Sequence, residues 1–535
     1  MQAIYPLIRN IACIFFEIVP EKIIIRRKEL QFSKNIVLKE LQFFTYMELI
    51  LKAKNIYVEY TGREILSIDD LEIHACDRIG LIGGNGSGKT TLLHILSGKY
   101  TPPGCRIHRF GSTSLIPQAE GVRTEESYDP SLLSRLGVSG LQYDTMSGGE
   151  ITRMKIALAL SQPLHALLAD EPTCHLDREG IDLLINQLDS FNSAILIVSH
   201  DRYFLDKTVN KIWELKDAKI TEYWGGYSEY LHQKQEEREY LAAEYVKYSE
   251  EKNRLKRAVS EKRSHAEKID KKQIGVERKN ANELNASRGN QKPVGSKQQK
   301  LYSAAQNMEK RIEALGEVKP PEHIRSIRFR KNPALELHNK FPIIGENLHL
   351  RFGKHQIFEN TGFIIPLGSK VALTGNNGSG KTSLMKMILE HSAGLTISPK
   401  VVMGYLSQLG YQVPPDRQVL SFMQENCDYQ EYEIRSVLVS MGFKANDIHK
   451  NLRVLSGGEI NKLLLSKMLL GRYNILLMDE PSNYLDIFSI EALEKMMKDY
   501  TGTILFITHD QRLIDNAADI VFEIKDCKIH TKRER

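Results

Sequence analysis

At 535 residues and 41% hydrophobic, the chain is too long for one ordinary domain and apolar enough to build several cores, so a multidomain globular protein is expected. A net charge of +6 does not by itself mark a nucleic-acid binder, and no run reaches the roughly 18 apolar residues that suggest a membrane span. The six cysteines are scattered with no CxxC pair, which indicates neither a zinc site nor a disulfide framework and fits a reducing cytosol.

Residues 1–46 hold seven Lys/Arg and four Asp/Glu, with Ile and Phe in no clear period. Nothing later in the chain matches them, so Met47 is expected to be the working initiator and residues 1–46 an upstream extension. A strand-like run, Arg78 to Ile82, then leads into GGNGSGKT (Gly83 to Thr90) and the helix-like Leu92 to Leu96. Strand, G-x-x-x-x-G-K-T loop and helix make a phosphate-binding loop. Glycines let backbone N–H groups turn onto phosphate oxygens, Lys89 neutralises them, and the Thr90 hydroxyl serves Mg²⁺. Downstream come Gln118, MSGGE (Met146 to Glu150), the apolar strand of HALLADEP ending at Asp170 and Glu171, PTCHLD, and ILIVSHD with His200.

Residues 231–320 follow with 21 Lys/Arg against 14 Asp/Glu, a balance of +7, so the remainder of the chain is about −1. Leu241, Tyr245, Tyr248, Lys252, Leu255, Val259, Lys262, Ala266 and Ile269 alternate steps of four and three. Leu301, Ala305, Met308, Ile312 and Leu315 continue that step, and Gly316 is placed as a C-cap. Two such seams joined by a polar turn predict an antiparallel helical hairpin. Its first helix, of about 40 residues, reaches on the order of 60 Å. The Lys-, Arg-, Asn- and Gly-rich tip is expected near residues 271–297; Lys268 just before it and Lys271, Lys272, Arg278, Lys279, Arg288 and Lys292 within it suit RNA phosphates.

The second half repeats the first. GNNGSGKT (Gly375 to Thr382), Gln408, LSGGE (Leu455 to Glu459), NILLMDEP with Asp479 and Glu480, and ILFITHD with His509 recur in order. From the SGGE serine to the strand-end aspartate is 23 residues in each half, and from that aspartate to the histidine is 30. Tyr60 and Phe352 each precede their loop's first glycine by 23 residues. The lysine-to-serine interval differs, 58 residues in the first half against 75 in the second, so the first helical region is trimmed.

This ordered set resembles the nucleotide-binding domain of the ATP-binding cassette superfamily, over about Met47 to Tyr230 and Phe341 to Ile529. The resemblance implies an α/β fold: two tandem ABC-type P-loop ATPase domains joined by the helical hairpin. The expected divisions are 47–230, 231–320, a connector at 321–340, 341–529 and a tail at 530–535. It implies two ATP molecules sandwiched head to tail, with Mg²⁺. Gly83, Asn85, Gly86, Ser87, Gly88, Lys89, Thr90 and Thr91 of one loop would hold ATP, as would Gly375, Asn377, Gly378, Ser379, Gly380, Lys381, Thr382 and Ser383 of the other. Ser147, Gly148 and Gly149, and Ser456, Gly457 and Gly458, would cap the opposite nucleotide. Tyr60 and Phe352 would stack on adenine. Thr90, Gln118 and Asp170, and Thr382, Gln408 and Asp479, would serve Mg²⁺. Glu171 and Glu480 would polarise water, and His200 and His509 would touch the γ-phosphate. Two departures from the family stand out: Ala169 is small, and Cys174 replaces the usual Asn. The latter is expected to make the two sites unequal.

Two cassettes, a long charged linker and no membrane span are similar to the ABC-F family of ribosome-associated ATPases. Within that family, the trimmed first domain resembles antibiotic-resistance members that protect the peptidyl-transferase centre from lincosamides, streptogramin A and pleuromutilins. That resemblance implies a cytoplasmic monomer with intramolecular cassette pairing, acting on the 70S ribosome at rRNA and tRNA near the exit site. A housekeeping translation factor and a transporter ATPase are the alternatives.

Overall fold

The computed structural model describes residues 48–118, 130–136, 146–174, 176–280, 294–316, 318, 329, 336–407 and 413–534, apart from 61, 147, 162, 354 and 445. The extension 1–46, most of the connector 321–340 and the site candidates Ser147, Gln408, Arg288 and Lys292 lie outside the described residues.

The first cassette contains β1 (Leu49–Tyr60), β2 (Arg63–His74), β3 (Arg78–Gly83), β4 (Arg106–Arg109), β5 (Thr113–Ile116), β6 (Ala166–Asp170), β7 (Ala194–Val198), β8 (Lys211–Lys216) and β9 (Lys219–Trp224). The main sheet runs β5-β6-β7-β3-β8-β9, parallel except for β9. Every residue of β6 and β7 is buried, as expected for a parallel sheet covered on both faces. A second, antiparallel sheet, β2-β1-β4, alternates instead and turns Leu51, Ala53, Ile56 and Val58 inward. Between the sheets the helix Lys89–Ser97 buries Leu92, Leu93, Ile95 and Leu96. Ala169, 1% exposed, pairs with Ile116 and Ile197 in the core on the sheet's other side.

The second cassette contains β10 (Ile343–Phe352), β11 (His355–Ile365), β12 (Lys370–Gly375), β13 (Leu395–Ile397), β14 (Met403–Leu406), β15 (Ile475–Asp479), β16 (Thr503–Ile507), β17 (Ile520–Lys525) and β18 (Lys528–Glu534). Its orders, β14-β15-β16-β12-β17-β18 and β11-β10-β13, match the first cassette strand for strand, which makes the sequence repeat a fold repeat. The tail expected at 530–535 is instead strand through Glu534, because β18 pairs with β17 from Lys528 to Glu534. The longer second half uses its extra residues for helices Val419–Gln424 and Glu431–Ser440, which bury Val419, Phe422, Ile434 and Val437.

The linker is a helical hairpin, longer in its first arm than the seam alone indicates. That helix spans Tyr227–Asn280, 54 residues, or about 80 Å at 1.5 Å each, and the return helix is Val294–Ala314. Residues 271–280, expected in the tip, are helical despite Gly275, the Lys, Gln, Glu and Arg around it being good helix formers. Leu255, Val259, Ala266 and Ala305 of the seam are buried. Arg263 bridges Glu309 at 2.7 Å, and Tyr248 Oη donates to the Gly316 carbonyl at 2.7 Å, fixing the antiparallel sense. Gly316, at φ 68°, ends the return helix as a C-cap glycine does. The linker's root lies inside the first cassette: Tyr227 and Tyr230 are fully buried beside Ile82 and Ile212, so the boundary at 230/231 falls within a continuous helix.

Candidate functional site

Each phosphate-binding loop ends β3 or β12 and opens the next helix, as its strand–loop–helix pattern requires. Gly88 adopts φ 104°, and a Cβ there would meet Ile65 at 2.7 Å, so both backbone shape and space demand glycine. Lys89 Nζ folds back to donate to the Gly83 and Gly84 carbonyls at 2.8 and 3.1 Å; Lys381 Nζ does the same to Gly375 and Asn376 at 2.7 and 3.1 Å. Burial lowers the pKa of both lysines. An anion at the loop would draw these ammonium groups outward and restore their preference for charge.

Strands β6 and β15 deliver the carboxylates. Thr90 Oγ1 donates to Asp170 Oδ2 at 2.7 Å, and Thr382 Oγ1 to Asp479 Oδ2 at 2.8 Å. Each pair offers hard oxygens beside the loop lysine, the donor type that Mg²⁺ accepts together with phosphate oxygens and water. Ser87 Oγ and Ser379 Oγ are buried without a hydrogen-bond partner, which also fits a loop shaped around an oxygen-rich ligand. Thr90, Thr382, Asp170 and Asp479 therefore fit Mg²⁺.

Glu171 and Glu480 both sit at φ 52°, a left-handed turn that costs a non-glycine residue about 1–3 kcal/mol and re-aims the side chain as the strand ends. Their backbone N–H groups are tied to Val198 and Ile507 at 2.8 and 3.1 Å. His200 Nε2 lies 3.2 Å from Glu171 Oε1, and His509 Nε2 lies 3.5 Å from Glu480 Oε1. Glu171 Oε2 accepts from the His200 backbone N–H at 3.3 Å, while Glu171 Oε1 and, on the far side of the ring, His200 Nδ1 are buried without a hydrogen-bond partner. Burial pushes both glutamates up to about 8 and the histidines down to about 3 and about 4, with the loop lysines adding to the histidine shifts. Asp170 and Asp479 are raised as well, also by burial. These groups are poised for a ligand that brings its own charge.

A cavity of about 1080 Å³ runs through both clefts and is lined by the two halves together. Asn85, Gly86, Ser87, Gly88, Lys89, Thr90, Thr91, Gln118, Asp170, Glu171 and His200 face Ser456 and Gly458. Asn377, Gly378, Gly380, Lys381, Thr382, Ser383, Asp479, Glu480 and His509 share the cavity with Gly148 and Gly149. Tyr60 and Phe352, 51% and 59% exposed, also line it. Gly83, Gly375, Ser379 and Gly457 support the wall without lining it. Ser456 and Glu459 form a reciprocal cap on the helix Gly457–Leu470. A Cβ at Gly458 would meet Asn85 Nδ2 at 2.7 Å, so the second cassette's helix end comes that close to the first cassette's loop.

The sequence had not assigned the residues that join the halves. Asp486 Oδ2 accepts from the Asn85 backbone N–H at 3.0 Å and from Lys462 Nζ at 2.5 Å, and the Tyr484 carbonyl accepts from Asn85 Nδ2 at 2.9 Å. Lys462 holds the Asp486 carboxyl down at about 2 against the effect of burial. The opposite cleft is looser, with Asn376 Nδ2 3.5 Å from Glu179 Oε1. Cys174 and Asn483 are gripped alike through their carbonyls, by Thr152 Oγ1 and Asn461 Nδ2, each at 3.2 Å. The final Asp of PSNYLD signalled Asp486, but only folding shows that it reaches across the repeat.

The family described as ABC transporter matches residues 66–128 and 358–483. The chain is 35% identical over 491 residues to the erythromycin resistance ATP-binding protein MsrA of Staphylococcus epidermidis, covering 90% of this chain and 98% of that protein. It is 31% identical over 482 residues to the ribosome protection protein VmlR of Bacillus subtilis (strain 168), covering 88% and 86%. Among solved structures, the RNase-L Inhibitor superposes with a TM-score of 0.58 at 18% identity, over 90% of this chain and 91% of its own, a likeness of fold. No helix among the described residues is long and apolar enough to cross a membrane. Identity that spans both cassettes and nearly the whole of MsrA places the chain in the ABC-F family of tandem-cassette ATPases.

Proposed function

We propose that this ATPase binds the bacterial ribosome through its linker hairpin and frees the peptidyl-transferase centre of bound antibiotic. The observation that carries the reading is identity to two proteins named for antibiotic resistance and ribosome protection, joined to a linker whose residues 251–300 hold 15 Lys/Arg against 6 Asp/Glu. A hairpin whose first helix is about 80 Å long from its buried root has the reach and charge to enter an RNA-walled site.

The chain's own groups supply the cycle. The loop backbone, Lys89 and Lys381 bind phosphates. Gly148, Gly149, Ser456 and Gly458 reach each nucleotide from the other half, so ATP favours the closed pair in proportion to its tighter binding there. Mg²⁺, when bound, supplies charge neutralisation at the transferring phosphoryl group. Glu171 and Glu480 orient and polarise the attacking water, and His200 and His509 stand beside them. Closure passes to the linker at its root, where Tyr227 Oη donates to Glu491 at 2.8 Å and Arg512 bridges Asp206 and Ser228.

The test is expression of Met47 to Arg535 in a drug-sensitive bacterium challenged with a lincosamide, streptogramin A, a pleuromutilin and erythromycin, with Glu171→Gln/Glu480→Gln alongside. Tolerance that needs the glutamates, at unchanged intracellular drug, supports ribosome protection. Ribosome binding without tolerance moves the assignment to a housekeeping translation factor.

A further inference from the structure

The small antiparallel sheet of the first cassette ends at β4, which pairs with β1 and with no other described strand. Ile107 leans on the core, so Arg106, His108 and Phe110 stand on the other face, all exposed and about 6.6 Å apart in succession. The His108 and Phe110 rings stack with centroids 6.5 Å apart and planes 25° apart. The register sets Lys54 between Arg106 on β4 and Asp70 on β2, and Arg106 has no ion-pair partner among the described residues. Like charges facing across two strands repel, and Asp70 on the other side of Lys54 offsets part of that repulsion.

The fold does not require it. In the second cassette, where Asn347 matches Asn55, Glu346 stands at the place of Lys54 and its backbone N–H bonds the Gly394 carbonyl. The segment around β4 is biased the same way: residues 99–118 hold Lys99, Arg106 and Arg109 and no Asp or Glu. Arg106, exposed at the open strand edge with no facing carboxylate and beside the exposed, stacked His108 and Phe110 rings, suits a polyanion that carries planar bases. An acidic protein surface would use the charges and leave the rings idle.

We infer that the β1–β4 face of the first cassette is a second RNA-contact surface, with Lys54 and Arg106 on backbone phosphates and a base against His108 and Phe110. The inference rests on the ribosome reading and adds a contact remote from the linker tip.

The experiment uses the full chain in the Glu171→Gln/Glu480→Gln background, purified 70S ribosomes, ATP and a KCl series. Lys54→Gln/Arg106→Gln should weaken binding about tenfold and flatten the salt slope by about one to two, while Phe110→Ala should weaken binding with the slope unchanged. In chains that keep Glu171 and Glu480, basal ATPase without ribosomes should be the same with and without these changes. A photo-crosslinker placed at position 110 should give an RNase-sensitive adduct. Unchanged affinity and slope, or an RNase-resistant protein adduct, overturns the surface alone. Failure of the parent chain to bind ribosomes overturns the ribosome reading and this surface with it.

Discussion

Arg202 of the first cassette donates from Nη2 to Asp510 Oδ2 of the second at 2.9 Å, and the same nitrogen bonds Glu494. Arg202 is 2% exposed, immediately follows His200–Asp201, and its acceptor Asp510 immediately follows His509. The two histidine loops are thus tied by one buried cation. The repeat is unequal here, because the residue matching Arg202 in the second half is Gln511. Asp510 also caps the helix Gln511–Ala517, accepting from Arg512 and Leu513 N–H at 2.9 and 3.1 Å.

Removing Arg202 strands two buried carboxylates. Arg202→Met should cost about 3–5 kcal/mol of stability, read by thermal or denaturant unfolding. It should also act on one site more than the other. In a Glu171→Gln background, where turnover relies on Glu480 and His509, Arg202→Met should lower kcat on the order of tenfold or more through misplacement of the loop. In a Glu480→Gln background the loss should be smaller, and equal losses would reduce Arg202 to a structural tie.

In the proposed cycle the glutamates carry the chemistry. Glu171→Gln and Glu480→Gln keep the shape of each cleft and remove the carboxylate proposed to polarise water, so the double variant should lose about 10²–10⁴ in kcat. It should still bind ATP, measured by fluorescent-nucleotide titration. Full turnover by the double variant would exclude these residues as the bases.

The same burial sets a pH dependence. Each glutamate is pushed up to about 8 from 4.5, so between those values the folded empty protein holds protons that the unfolded chain releases. Stability falls as pH rises through that window. The histidines, held at about 3 and about 4 against 6.5, act in the opposite sense below 6.5, where the unfolded chain binds the extra protons. Between about pH 6.5 and pH 8 the histidines no longer oppose the glutamates, so the melting temperature without nucleotide should fall there. Glu171→Gln/Glu480→Gln should flatten that slope, and an unchanged slope would place the titrating groups elsewhere.

Much of this was legible in the sequence, for physical reasons. Backbone capture of phosphate needs glycine at fixed offsets, so Gly88 and Lys89 declare their loop, and the equal 23- and 30-residue spacings declare two copies of one fold. The seam from Leu255 to Ala266 declared the hairpin. What stayed hidden depends on contacts between distant segments. Asp486 reads as a helix cap until folding brings Asn85 to it, and Arg202 reads as a surface arginine until Glu494 and Asp510 enclose it. Residues 271–280 misled for a different reason: their low apolar content marked a tip, but helix formation there draws on backbone propensity.

The linker prediction separates charge from shape. Lys271, Lys272, Arg278 and Lys279 lie at the far end of the long helix, beyond Lys268, which is exposed. Changing these four to Gln leaves helix propensity nearly unaltered, so the hairpin should keep its helical content by circular dichroism. Each lost phosphate contact releases fewer counterions, so ribosome affinity should fall and its salt slope should flatten by up to about three, the share depending on how many of the four touch phosphate. A fall in affinity with an unchanged slope would mean the four residues act through hairpin geometry. No change in either would remove the far end of the helix from the ribosome contact.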